Sequence, residues 1–167
     1  MSVVARIARG IAIAPKRLRR LFHLSWRGKL LAFEALAMLA IARIWLIVRP
    51  FQRIAVHLGT AVPTSQPDDT ERHLLAEPQL AQARQVSAAV RWIARFAPFR
   101  AVCIHQSIAA KMMLRRRDIP STMYFGVSRN VEEGQIKLAA HAWVRAGQVE
   151  MTGFDEAPLF QEIARFR

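Results

Sequence analysis

Two residues in this 167-residue chain have the types and spacing for nucleophilic chemistry: Cys103, its only cysteine, and His141. Cys103 follows Pro98-Phe99-Arg100, where a helix is expected to start. The N–H groups at a helix N-terminus have no partners within the helix and carry a partial positive charge. Both favour a thiolate, and the same N–H groups can hold the oxyanion of a tetrahedral intermediate. His141 lies in Ala139-Ala140-His141-Ala142-Trp143-Val144, a strand of apolar or small residues. A cysteine on a helix followed by a histidine on a strand is the order a thiolate–imidazole pair requires. The plainer readings are a small buried cysteine and a satisfied core histidine.

An imidazole base also needs a group to orient it. Asp155, just after the third expected strand, is the first choice and Glu150, within that strand, the alternative. His105 is two residues beyond Cys103 and would point away from it on a helix. His23, His57 and His73 lie outside the catalytic part. The sequence has no HExxH motif, Gly-rich phosphate loop or paired metal carboxylates, so no metal and no cofactor are expected.

The elements that must position this pair follow from apolar periodicity. Leu30–Val48 is rich in Ala and Leu, has no Gly or Pro before Pro50, and reads as a helix. Gln79–Phe96 has apolar residues at spacings of three and four (Leu80, Ala83, Val86, Val90, Ile93) and stops before Pro98. A second helix is expected over Cys103–Arg116, with Arg115-Arg116-Arg117 at its end. Strands are expected at Thr122–Val127, Ile136–Val144 and Gln148–Met151, with Ser128–Gly134 as the first turn. Helices followed by an antiparallel sheet make the fold class α+β.

Charge divides the chain. Of the net charge of +13, residues 1–58 contribute 11 − 1 = +10 and residues 59–167 contribute 14 − 11 = +3. The expected organisation is a basic helical extension over 1–58, a Pro-rich linker over 59–78 and a catalytic core over 79–167. With 53% apolar residues the chain can fill a core. A single cysteine excludes an intramolecular disulfide framework and fits a reducing cytoplasm. The basic extension leaves an alternative open, a nucleic-acid-binding or membrane-surface protein led by its N-terminal arm. Leu30–Val48 approaches the roughly 20 residues of a bilayer span, but Glu34 and Arg43 interrupt it. It is therefore expected to be buried in this protein or against a partner, with membrane-surface contact as the alternative.

Pro98-Phe99-Arg100-Ala101-Val102-Cys103-Ile104, Met113-Leu114-Arg115-Arg116-Arg117-Asp118-Ile119-Pro120, Phe125-Gly126-Val127 and Ala140-His141-Ala142-Trp143-Val144 together resemble the transglutaminase-like maturation proteases of lasso-peptide clusters. These are relatives of the microcin processing protein that removes a leader peptide. Gly28-Lys29-Leu30-Leu31, Glu34-Ala35-Leu36, Ala42-Arg43, Pro50-Phe51 and the closing Ile163-Ala164-Arg165-Phe166 are similar to the same family. The resemblance implies a papain/transglutaminase-like core and a Cys–His–Asp triad, with Cys103 as nucleophile and His141 as base. The family's acid falls near Thr152-Gly153, where this chain has none; Asp155 lies close by. The resemblance further implies leader cleavage from a ribosomally made precursor. The implied partners are the precursor leader peptide, a separate leader-recognition protein and an asparagine-synthetase-like lasso cyclase. Nucleic acid is not an expected partner. Acyl transfer of the transglutaminase type is the alternative chemistry.

Overall fold

The computed structural model describes residues 25–70, 73–132 and 135–167. Helix α1 spans Trp26–Val48; Ser25 caps it by accepting from the Gly28 amide at 3.2 Å. Pro50 ends it and starts α2, Phe51–Leu58, because proline fits the start of a helix but not its interior. Helix α3 spans Glu77–Ala94 with Pro78 in its first turn, and α4 spans Cys103–Arg115. The strands are β1 Ala61–Val62, β2 Thr122–Glu132, β3 Gln135–Ala146, β4 Val149–Thr152 and β5 Gln161–Phe166. They form one antiparallel sheet in the order β1-β5-β2-β3-β4. The chain is thus an α+β protein, with four helices packed on a five-stranded sheet among the described residues.

Helices α1, α3 and α4 share one apolar core with the sheet. Ala35, Leu39 and Ala42 of α1, Val86 and Val90 of α3, and Ile108, Met113 and Leu114 of α4 are buried with Val144 and Met151. Helix α1 is also tied down by charge. Glu34 receives Arg117 through both oxygens at 3.0 and 2.6 Å, and Arg116 lies at 3.7 Å.

Several elements depart from the sequence expectation. The expected turn at Ser128–Gly134 is narrower, because β2 pairs with β3 as far as Glu132↔Gln135. Ser and Asn disfavour strands only weakly, and cross-strand pairing overrides that preference. The stretch 59–78, read as a linker, is laid onto the domain. Val62 pairs with Arg165, and Thr70 and Leu75 are buried. Gln148, expected as the first residue of a strand, instead turns its amide onto the backbone of Leu75, at 2.9 Å to the N–H and 3.3 Å to the carbonyl.

Lys111 on α4 is 5% exposed, and its ammonium donates to the Ser121 carbonyl. Burial, aided by Arg115, pushes it down from 10.5 to about 8. Below about pH 8 the lysine is charged in both the folded and unfolded chains, and its burial is a net cost. Between about 8 and 10.5 the unfolded chain binds the extra proton, so this group makes stability rise with pH. Lys111→Met should therefore raise stability near pH 7 by up to about 3 kcal/mol. That advantage should shrink by pH 9.5, judged against the window set by the lysine's shift. Denaturant midpoints of wild type and variant at both pH values check this; a constant difference would refute it.

Candidate active site

Helix α4 begins at Cys103 and no side chain caps it. The N–H groups of His105 and Gln106 donate to the Val102 carbonyl at 3.0 and 3.2 Å, which leaves those of Cys103 and Ile104, beside the thiol, as the ones a substrate oxyanion could use. Cys103 is half-buried. Gln106, one turn on, donates to the Ala101 carbonyl at 2.9 Å and holds the loop that delivers Cys103.

His141 is carried by β3. Alternate residues Ala142, Val144 and Ala146 are buried in the core, which turns His141 and Trp143 to the opposite face. There the imidazole stacks on Phe160, ring centroids 4.8 Å apart, and on Trp143 at 5.9 Å, while Trp143 stacks on Tyr124. Gly126 sits directly opposite His141 in the β2–β3 register. A Cβ there would come within 2.9 Å of both Phe160 and Trp143, so the aromatic stack requires a glycine at that position.

His141 Nε2 lies 2.7 Å from the carbonyl of Gly153. A carbonyl can only accept, so Nε2 carries the proton and Nδ1 is the basic nitrogen of the neutral ring. Glu156 approaches Nδ1 at 3.6 Å with a largely exposed side chain. Cys103, Gln106, His141, Gly153, Asp155 and Glu156 line one cleft of about 600 Å³.

Both acids named from sequence are engaged elsewhere. Asp155 reaches the cleft, but its carboxylate pairs with Arg91 at 3.1 Å. Glu150 pairs with Arg145 at 3.1 Å and lines a separate cleft with Arg84 and Gln148. The polar groups at the imidazole nitrogens are the Gly153 carbonyl and, more distantly, Glu156. Sequence reasoning did not find them. One is a backbone atom without a residue signature, and the other is one residue beyond the acid that was chosen.

Ser107 was missed as well. Its hydroxyl donates to the Ala142 carbonyl at 3.0 Å and lies 3.2 Å from Thr152 Oγ1. It therefore links the helix bearing Cys103, the strand bearing His141 and the strand end before Gly153. Ser87 does the same for α3 by donating to the Met151 carbonyl. Both serines are buried, Ser107 beside Ile108 and Ala110 on α4 and Ser87 beside Val86 and Val90 on α3, and a hydroxyl at a core position was the available signal.

His105 is buried with Arg43 beside it. His57 lies tilted against Trp45, ring centroids 4.9 Å apart, and His73 Nδ1 lies 3.0 Å from the Asp69 carbonyl. His23 lies outside the described residues. Among the described residues no three His, Cys, Asp or Glu groups are placed to hold a metal ion.

A thiol at a helix N-terminus thus shares a cleft with an imidazole on an antiparallel sheet, in an α+β fold. The chain belongs to the transglutaminase-like superfamily, whose family model matches residues 36–165. Members of that superfamily are typically cysteine proteases or acyltransferases. The match begins inside α1, so the C-terminal part of α1, all of α2 and the stretch 59–78 lie within the family region. No curated protein and no solved structure matches the chain.

Proposed function

We propose that this chain is a cysteine peptidase that cuts the leader from a ribosomally made lasso-peptide precursor. The observation that carries the peptidase reading is the shared cleft of Cys103 and His141, in which Nε2 is held by the Gly153 carbonyl at 2.7 Å. In this reading His141 Nδ1 takes the thiol proton, and the sulfur attacks the scissile carbonyl carbon. The Cys103 and Ile104 N–H groups at the start of α4 receive the developing oxyanion. The imidazolium then passes its proton to the leaving amine. Water hydrolyses the thioester with His141 again as base and regenerates the thiol.

The substrate class rests on the likeness of the cysteine and histidine segments to lasso-peptide maturation proteases. The partners in this reading are the leader peptide, a separate leader-recognition protein and a lasso cyclase, acting in a reducing cytoplasm that suits a lone thiol. The test is to mix full-length protein, precursor and recognition protein in ¹⁸O-labelled water with a primary amine present. The expected products are free leader and core, with the label in the new carboxylate. An amine adduct instead would make the enzyme an acyltransferase. An intact precursor would overturn the proposal.

A further inference from the structure

Helix α1 is apolar on two opposite sides, and among the described residues only one of them is packed against the fold. At 3.6 residues per turn, Ala32, Ala35, Met38, Leu39 and Ala42 form the buried side. Trp26, Leu30, Phe33, Ile44, Ile47 and Val48 form the opposite side and are exposed, Trp26, Phe33 and Ile47 each by 70% or more. An 18-residue window of the helix has a mean hydropathy of 2.1. A contiguous apolar strip of this length on a surface marks an interaction site.

Charge indicates what covers it. The one acid of α1, Glu34, is turned away onto Arg117 and Arg116, which leaves the exposed strip free of carboxylates. Exposed Arg27 and Lys29 lie at its start, and exposed Arg49 and Arg53 lie just past its end. None of these four forms an ion pair among the described residues. A second copy of the chain packed antiparallel on the strip would bring these two cationic ends together, and a parallel copy would align like with like. Either arrangement is repulsive.

We propose that α1 docks the protein onto an anionic membrane surface. The helix lies flat in the headgroup region, with Trp26, Phe33 and Ile44 entering the acyl boundary and the four cations on lipid phosphates. It does not cross the bilayer, because its other side is sealed against α3 and α4. This is independent of the peptidase reading, since neither Cys103 nor His141 takes part.

The test is sedimentation of the full-length protein with vesicles of mixed phosphatidylglycerol and phosphatidylcholine, or of phosphatidylcholine alone. Partition onto the anionic vesicles should exceed that onto neutral ones by about tenfold or more, and should fall between about 50 and about 300 mM salt. The double variant Phe33→Gln/Ile44→Gln should lose about tenfold or more of that partition while keeping its circular dichroism spectrum and its Cys103-dependent activity. The Arg27→Gln/Lys29→Gln/Arg49→Gln/Arg53→Gln variant should lose the preference for anionic lipid. Wild type left in the supernatant, or a Phe33/Ile44 variant binding as well as wild type, would overturn the proposal. So would burial of the strip in a stable dimer or in an acidic partner protein that abolishes vesicle binding.

Discussion

Cys103→Ala should reduce precursor cleavage by more than about 10³-fold, with the folded state intact. Alanine removes only the sulfur from a half-buried position at the start of α4, so the helix and its packing have little reason to change. His141→Ala should fall as far. The two groups work as a unit, because the imidazole has nothing to deprotonate without the thiol and the thiol loses its base without the imidazole. The double variant should therefore be no worse than either single one. His141→Ala also removes a ring stacked between Phe160 and Trp143. Its thermal midpoint must be compared with wild type so that lost activity is not mistaken for lost fold. Rates from single-turnover cleavage, with unfolding followed by circular dichroism, settle the matter. Either single variant retaining more than about a tenth of wild-type activity would remove the pair from the mechanism.

The second large effect separates the groups that could orient the imidazole. Gly153 has a φ of 76°, a region side chains rarely adopt. A Cβ there would lie 2.5 Å from the Ala142 carbonyl and 3.1 Å from His141 Nε2. Gly153→Ala should thus push the loop carbonyl away from the ring, lowering kcat/KM by about 10²-fold and stability by about 1–3 kcal/mol. Glu156→Gln keeps the side-chain shape and removes only a charge whose carboxylate is largely exposed, so its loss should stay within about tenfold. Asp155→Asn breaks the ion pair with Arg91 and should cost still less. Steady-state kinetics of the three variants ranks them. If Asp155→Asn were the most damaging, the side chain chosen from sequence would be the third member of the site.

The parts of the fold legible in the sequence were those with a local cause. α1 is a long run of Ala and Leu, α3 has apolar residues at helical spacing, and Pro50 and Pro98 mark where α1 and α3 must stop. β2 and β3 carry β-branched and aromatic residues around the histidine. By contrast β1 is two residues long, Ala61–Val62, and exists because Arg165 and Phe166 pair with it from the far end of the chain. Nothing local announces such an edge strand. α2 buries only Ile54 and Leu58, too few positions to set a period. In the site, Cys103 and His141 were legible because thiol and imidazole chemistry belongs to side chains. The group that holds the imidazole is a main-chain oxygen, and its placement depends on a left-handed glycine and on the Ser107–Thr152 contact rather than on any acidic residue.

Because α1 is apolar on both sides, greasiness alone cannot tell the folding chain which side to turn inward. Bulk and a single ionic latch break that tie. The inward side is built largely of alanines, which let α1 approach α3 and α4 closely, whereas Trp26 and Phe33 would not fit the same space. Glu34 meets Arg117 only in the observed rotation. Glu34→Gln would remove the latch and leave bulk alone to choose the seating, and a minor population of rotated conformers, beside a loss of stability, is the defect to look for.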